Sequence, residues 1–258
     1  MTTRREIVKA GAGLAAILAA GKAPAALVRS LVAARNAMTA GGGAEFPYDS
    51  KVEYITSGFS GRTFVRLVGF PGYSGTAVSG GDVVQLKLIF NAVYPQVERN
   101  FIASLGTDRY FHYTEIKDSK IGGYAYNSPV AFFDYTESDL IEQTMQVSVG
   151  NYDVDFNIGG TISQIHYSET AQTISPVLIG GLTNLSGSGD YTSAKLYIRS
   201  ASTFVNGIKT SDMIPVRATI SGNSVGALYD RMNPLSGPLE NGIFPSNTSS
   251  SFGYGNDI

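Results

Sequence analysis

The chain has 258 residues, 43% of them apolar and 16% charged, with a formal net charge of −2 at pH 7. That apolar fraction is enough to bury a core and excludes general disorder, and the near-neutral balance leaves no basic footprint for a nucleic-acid backbone. Cysteine is absent, which excludes disulfides, thiolate metal centres and cysteine nucleophiles.

Residues 1–40 differ in composition from the rest. Between Thr3 and Leu31 alanine dominates, neither Phe nor Tyr occurs, and Glu6 is the only acid. Two readings share this segment. In the first it is a retained helical anchor: Leu27, Val28, Leu31 and Val32 fall at helical i, i+3, i+4 spacing, and Gly21 and Pro24 divide the run into helices over 5–20 and 24–38. An Ala-rich stripe of this kind suits close packing against copies of itself or against a larger assembly. In the second, Thr3-Arg4-Arg5-Glu6-Ile7-Val8-Lys9 is a twin-arginine export motif and Ala23-Pro24-Ala25 a small-residue cleavage site. The apolar run is too short to span a bilayer. Residues 41–45, opening with Gly41-Gly42-Gly43, read as a flexible hinge, which makes 46–258 the second domain.

From Phe46 onward the pattern has period two. Lys51-Val52-Glu53-Tyr54-Ile55 alternates. Residues 83–90 read as a strand with Gln85 and Lys87 facing out and Leu86, Leu88 and Phe90 facing in. Residues 143–149 and 152–158 alternate again around Gly150-Asn151, a hairpin signal. Further strands are expected over 173–180, 194–200 and 225–230, and a single helical turn over 136–143 capped by Thr136. Thirty glycines, 15 tyrosines and 13 phenylalanines fit many short strands joined by turns. The expected fold class is all-β, an antiparallel two-sheet jelly-roll sandwich preceded by the helical segment.

Three stretches carry a resemblance. They are residues 46–55 (Phe-Pro-Tyr-Asp-Ser-Lys-Val-Glu-Tyr-Ile), 150–155 (Gly-Asn-Tyr-Asp-Val-Asp), and a closing element. That element runs Ile214-Pro215-Val216-Arg217, then Gly226-Ala227-Leu228-Tyr229-Asp230-Arg231, then Leu235-Ser236-Gly237. Together they resemble the concanavalin A-like (laminin-G/pentraxin-type) domains encoded by bacteriophages of gut Bacteroidetes. The resemblance implies a jelly-roll sandwich in a virion surface, fibre or attachment role rather than an enzyme. The chain departs from that family after Tyr54, at Thr56-Ser57-Gly58-Phe59-Ser60-Gly61, and it has no tryptophan.

Four constellations bear on chemistry. Glu137-Ser138-Asp139-Leu140-Ile141-Glu142 matches the E-x-D-x-x-E pattern of glycosidases built on the same sandwich, but it precedes the strand at 143–149, where a turn would scatter the acids. Asp153, Asp155 and Asp190 are oxygen donors of the kind Ca²⁺ uses, without a complete ligand set. His112 and His166 have no metal-ligand spacing around them. Tyr110-Phe111-His112-Tyr113 with Tyr124 and Tyr126 offers an aromatic recognition surface, with Tyr110 and His112 on one face of a strand and Phe111 and Tyr113 on the other.

The expected function is therefore a non-enzymatic structural and adhesive protein of a phage virion with no cofactor. Leu27, Val28, Leu31 and Val32 would assemble it with copies of itself, as a trimer for instance, or with other virion proteins. Tyr110, His112, Tyr124 and Tyr126 would contact host surface polysaccharide. The alternatives are a twin-arginine-exported carbohydrate-binding protein of the periplasm or cell surface, and a glycoside hydrolase of the same fold.

Overall fold

The computed structural model describes residues 46–57, 63–67, 78, 80–93, 100–105, 112–125, 128–168, 174, 177–183, 190–191, 195–239, 241–246 and 251–258. The helical segment and the hinge expected over 1–45 lie outside the described residues. No helix among the described residues is long and apolar enough to cross a membrane.

The strands, in chain order, are β1 (Ser50–Lys51), β2 (Ile55–Thr56), β3 (Val65–Leu67), β4 (Val83–Val93), β5 (Asn100–Leu105), β6 (His112–Lys117), β7 (Lys120–Ala125), β8 (Ser128–Asp134), β9 (Ile141–Ser148) and β10 (Asn151–Ile158). They continue with β11 (Thr161–Ser168), β12 (Val177–Ile179), β13 (Leu182–Thr183), β14 (Asp190–Tyr191), β15 (Lys195–Val205), β16 (Ile208–Ile220), β17 (Asn223–Asp230), β18 (Ile243–Phe244) and β19 (Gly253–Tyr254). The larger sheet runs β11-β10-β9-β4-β15-β16-β17-β18, with β1, β2 and β19 attached along it, and the smaller runs β3-β12-β5-β6-β7-β8. Every pairing between these strands is antiparallel. The chain passes between the two sheets at β2–β3, β3–β4, β4–β5, β8–β9 and β11–β12, and returns to the larger one at β15 by way of the separate β13–β14 pair, so neither sheet is built from one run of sequence. This is the antiparallel jelly-roll β-sandwich that the alternation predicts.

Period-two patterning builds the core. Along β4, Val84, Leu86, Leu88, Phe90 and Ala92 are buried while their neighbours stay half-exposed, and β9 and β10 alternate likewise. These side chains form one cluster with Val65, Leu67, Ile102, Leu105, Ile116, Ile121, Val177 and Ile179 from the smaller sheet. Each fully buried aliphatic or aromatic side chain contributes about 1.5–3 kcal/mol, which makes this shared layer the chief stabiliser of the sandwich. Turns follow the expected glycine chemistry. Gly150 closes the β9–β10 hairpin at φ +79°, and Gly207 follows Asn206 between β15 and β16, both at positive φ.

Two local expectations are corrected. Residues 136–143 form no helical turn of that length, because Asp139 N donates to the Thr136 carbonyl at 2.9 Å and strand β9 already begins at Ile141. The strand at 51–55 is split into β1 and β2.

The closing element is a structural latch. Asp230 is fully buried, and its carboxylate accepts bonds from Asp212 N (3.1 Å), Met232 N (3.0 Å) and Asn233 Nδ2 (2.6 Å). Ser236 Oγ donates to the Asn233 carbonyl at 2.7 Å, and Gly237 holds φ +91° where a Cβ would lie 2.7 Å from the Ile243 carbonyl oxygen. A buried carboxylate with three donors fixes the turn that leads to β18, so the Tyr-Asp…Ser-Gly spacing follows from folding alone.

Candidate functional site

The alternation that points Leu, Val and Phe inward from the larger sheet points a second set of side chains outward. In register across β11, β10, β9, β4 and β15, His166 lies opposite Asp153, Asp153 opposite Gln146, Gln146 opposite Gln85, and Gln85 opposite Phe204. The adjacent outward row reads Gln164, Asp155, Thr144, Lys87, Ser202, and the next reads Ile162, Asn157, Glu142, Ile89, Ser200. Five strands at about 4.8 Å spacing make a face about 19 Å across. It is dominated by amides, carboxylates and one imidazole.

These groups hold each other in place. His166 Nδ1 and Asp153 Oδ1 lie 2.5 Å apart, Gln85 Nε2 donates to Gln146 Oε1 at 2.6 Å, and Gln164 Nε2 donates to Asp155 Oδ1 at 2.9 Å. Lys87 forms an ion pair with Glu142. In each pair one side chain orients the other, so planar donor and acceptor groups stand in fixed directions on a rigid sheet.

One end of the face carries aromatic groups. The pairing of β15 with β4 shifts between Ile198 and Ser200, and Arg199 is the extra residue of this bulge. Its Nε donates to Asn91 Oδ1 at 2.9 Å and its guanidinium lies 5.7 Å from the Tyr54 ring centroid. Tyr54 and Tyr197 meet edge to face at 4.9 Å, and Lys195 Nζ sits 5.5 Å from the Tyr197 ring. Asn91 Nδ2 donates to the Asp139 carbonyl at 2.8 Å, which ties the 136–139 turn to the same end.

The positions singled out from sequence distribute as follows. Glu137 and Asp139 stand on that turn, where Asp139 Oδ2 accepts the Thr136 N–H at 2.7 Å, and Glu142 alone of the three acids is on a strand, paired with Lys87. Asp153 and Asp155 do share a face, but each engages a neighbour on β11. Asp190 is described by its backbone in β14. No group of three or more His, Asp or Glu able to hold a metal occurs among the described residues. For His112 and Tyr124 the backbone alone is described. His112 opens β6 and Tyr124 lies in β7 opposite Tyr113, on the smaller sheet. Tyr113 itself is buried and packs edge to face on Phe101 at 5.3 Å. Tyr110, Tyr126, Leu27, Val28, Leu31 and Val32 lie outside the described residues. The polar face is on the other sheet, and sequence reasoning assembled only fragments of it: Gln85 and Lys87 facing out, and the Asp153/Asp155 pair.

An open depression at the edge of the sandwich is lined by Asp134, Tyr135, Thr136, Asp139, Ile158, Thr161 and Ser163. It is apart from the His166–Phe204 row.

No protein-family model matches the chain, and no curated protein matches it. Among solved structures the chain is similar to the LG1-3 region of the laminin alpha2 chain, at 12% identity and a TM-score of 0.36 over 62% of this chain and 28% of that one. It is also similar to scytalido-glutamic peptidase with a peptide-based transition state analog, at 13% identity and a TM-score of 0.37 over 79% of this chain and 99% of that one. A third is the alginate lyase from Corynebacterium sp., at 17% identity and a TM-score of 0.36 over 50% of this chain and 61% of that one. The chain thus spans 28% of the laminin region's length and 61% of the lyase's. The strand order given above, rather than these partial overlaps, defines its fold.

Proposed function

We propose that the chain is a non-enzymatic adhesive protein displayed on a phage virion, and that the outward face of its larger sheet binds neutral host surface polysaccharide. The observation that carries the binding reading is the row His166, Asp153, Gln146, Gln85, Phe204, five strands wide. Sugar hydroxyls act at once as donor and acceptor, so they are matched by amide, carboxylate and imidazole groups held in fixed directions, and sugar ring faces stack on Tyr or Phe. The neutral class follows from charge. Lys87 is committed to Glu142, Arg199 to Asn91 and Tyr54, and Arg231 and Lys209 to Asp212, which leaves these four cations engaged before any uronate arrives. The virion role is supported by the resemblance that residues 46–55 and 150–155 carry and by the composition of the segment at 1–40, which, folded as helices, would dock the sandwich. Display in several copies would offset weak individual contacts.

The experiment is affinity electrophoresis of the full-length chain through gels holding neutral or uronic-acid surface polysaccharides. Retardation by neutral polymers, weakened at least tenfold by Gln146→Ala or Asp153→Ala, is the expected result. Equal retardation of wild type and both variants would refute the assignment of the face.

A further inference from the structure

We infer that the free edge of β11 pairs antiparallel with the same strand of a second copy, across a two-fold axis through Gln164. This stands independently of the glycan reading.

An exposed strand edge presents unpaired N–H and C=O groups, and natural proteins blunt such edges with short strands, charges, proline or bulges. Three of the four ends of the two sheets are blunted in these ways. Strand β18 has two residues and β3 has three, one of them Arg66. Strand β8 carries Pro129, pairs irregularly with β7 and ends in the exposed Asp134. The fourth end is different. Strand β11 is eight residues long, in unbroken register with β10, and contains no Pro, Gly, Lys, Arg, Asp or Glu. Among the described residues it pairs with β10 alone. Its outward residue Ile162 is 66% exposed, among the most exposed large apolar side chains described.

The occupant follows from symmetry and charge. A two-fold axis normal to the sheet keeps outward side chains opposite outward ones and core-side ones opposite core-side ones. With the axis on Gln164, that residue faces its own copy, and a pair of amides can exchange donor and acceptor. Ile162 then lies opposite the partner's His166, so the 66% exposed isoleucine gains a neighbour on its own face of the sheet. Ser163 lies opposite the partner's Ile165 and Thr161 opposite the partner's Tyr167. Moving the axis to Ile165 would leave Ile162 facing a serine. No formal charge meets a like charge in the chosen register. The overlap is about 24 Å long and supplies roughly six to eight backbone hydrogen bonds. A two-fold contact is closed, so both edges are consumed and no fibre grows.

The chain has no cysteine, so single-cysteine variants of the full-length protein give an unambiguous test. Across the proposed axis the two copies of residue 164 fall within disulfide reach, whereas the two copies of residue 168 are about 27 Å apart. Gln164→Cys should form disulfide-linked dimers under mild oxidation and Ser168→Cys should not. Adding Ile162→Lys to Gln164→Cys should cut the linked fraction at least fivefold, because a lysine there brings charge to the edge. Assembly through residues 1–40 would raise the mass of every variant alike and would not discriminate 164 from 168. Absence of linkage at 164, equal linkage at 164 and 168, or indifference to Ile162→Lys would overturn the proposal, and pairing with some other strand would give the first of these.

Discussion

Gln143 is the least expected residue of the core. It occupies an inward position of β9, fully buried, opposite Leu88 and Phe156, and neither of its amide atoms has a hydrogen-bond partner among the described residues. Leaving a buried amide unsatisfied costs about 1–3 kcal/mol. Gln143→Met, of similar length, should therefore raise stability by about 1–3 kcal/mol in urea denaturation. Three tyrosines give a second expectation. Burial raises the hydroxyl pKa of Tyr48, Tyr152 and Tyr229 above 10.0, most for the fully buried Tyr152, while Arg231 beside Tyr48 opposes the shift there. All three ionise at higher pH in the fold than in the unfolded chain, so the stability they confer is intact below the ordinary value of 10.0 and drains away as pH climbs past it. Thermal melts should show a loss of stability above that pH that is shallower in Tyr152→Phe; an unchanged slope would contradict the account. At this scale the sequence is a partial guide. Alternation assigns Gln85 and Lys87 to the outside, and it equally assigns Gln143 to the inside, but a polar residue at an inward position reads as a break in the pattern until its burial is known.

At the scale of elements, strands are legible where a clean period of two is bounded by glycine. Strands β4, β9, β10 and β17 match the expected runs at 83–90, 143–149, 152–158 and 225–230 to within a few residues. Strand β16 is not legible in this way, although Asn206-Gly207 and Ser221-Gly222 bound it at positive φ. Its interior Pro215 argues against a central strand. The structure resolves the conflict. Pairing of β16 with β15 stops at Met213, so the missing N–H of Pro215 costs the β15–β16 ladder nothing, and the Pro215 carbonyl accepts from Val52 N at 3.2 Å beside the short β1. Sequence separation hides the other side of the problem too, since β2 pairs with β19 across about two hundred residues. That last pairing depends on glycine. A Cβ on Gly226 would lie 2.4 Å from the Gly253 carbonyl oxygen, and Gly226 N donates to the Phe252 carbonyl at 2.9 Å. Gly226→Ala should thus displace residues 252–258. The expected result is faster amide exchange and carboxypeptidase trimming of that strand, with the hairpin β9–β10 unaffected.

The whole sandwich joins a shared apolar layer to a polar outward face on the larger sheet, and the second of these was out of reach of pattern reading. Which strands are neighbours is decided by the two meanders that flank β4, so Gln85 and Gln146, 61 residues apart, become partners only once β4 and β9 pair. In sequence the aromatic cluster at 110–126 is the more conspicuous feature, and its Tyr113 serves packing, on the strand face opposite the one that Tyr110 and His112 share by alternation. The most direct measurement of the central claim is hydroxyl-radical footprinting of the full-length chain with and without a bound neutral polysaccharide. The account predicts that protection gathers on His166, Tyr197 and Tyr54, with Leu235 and Leu239 unchanged. Protection confined to Leu235 and Leu239, or none on the His166–Tyr197 face in a complex that demonstrably forms, would contradict it.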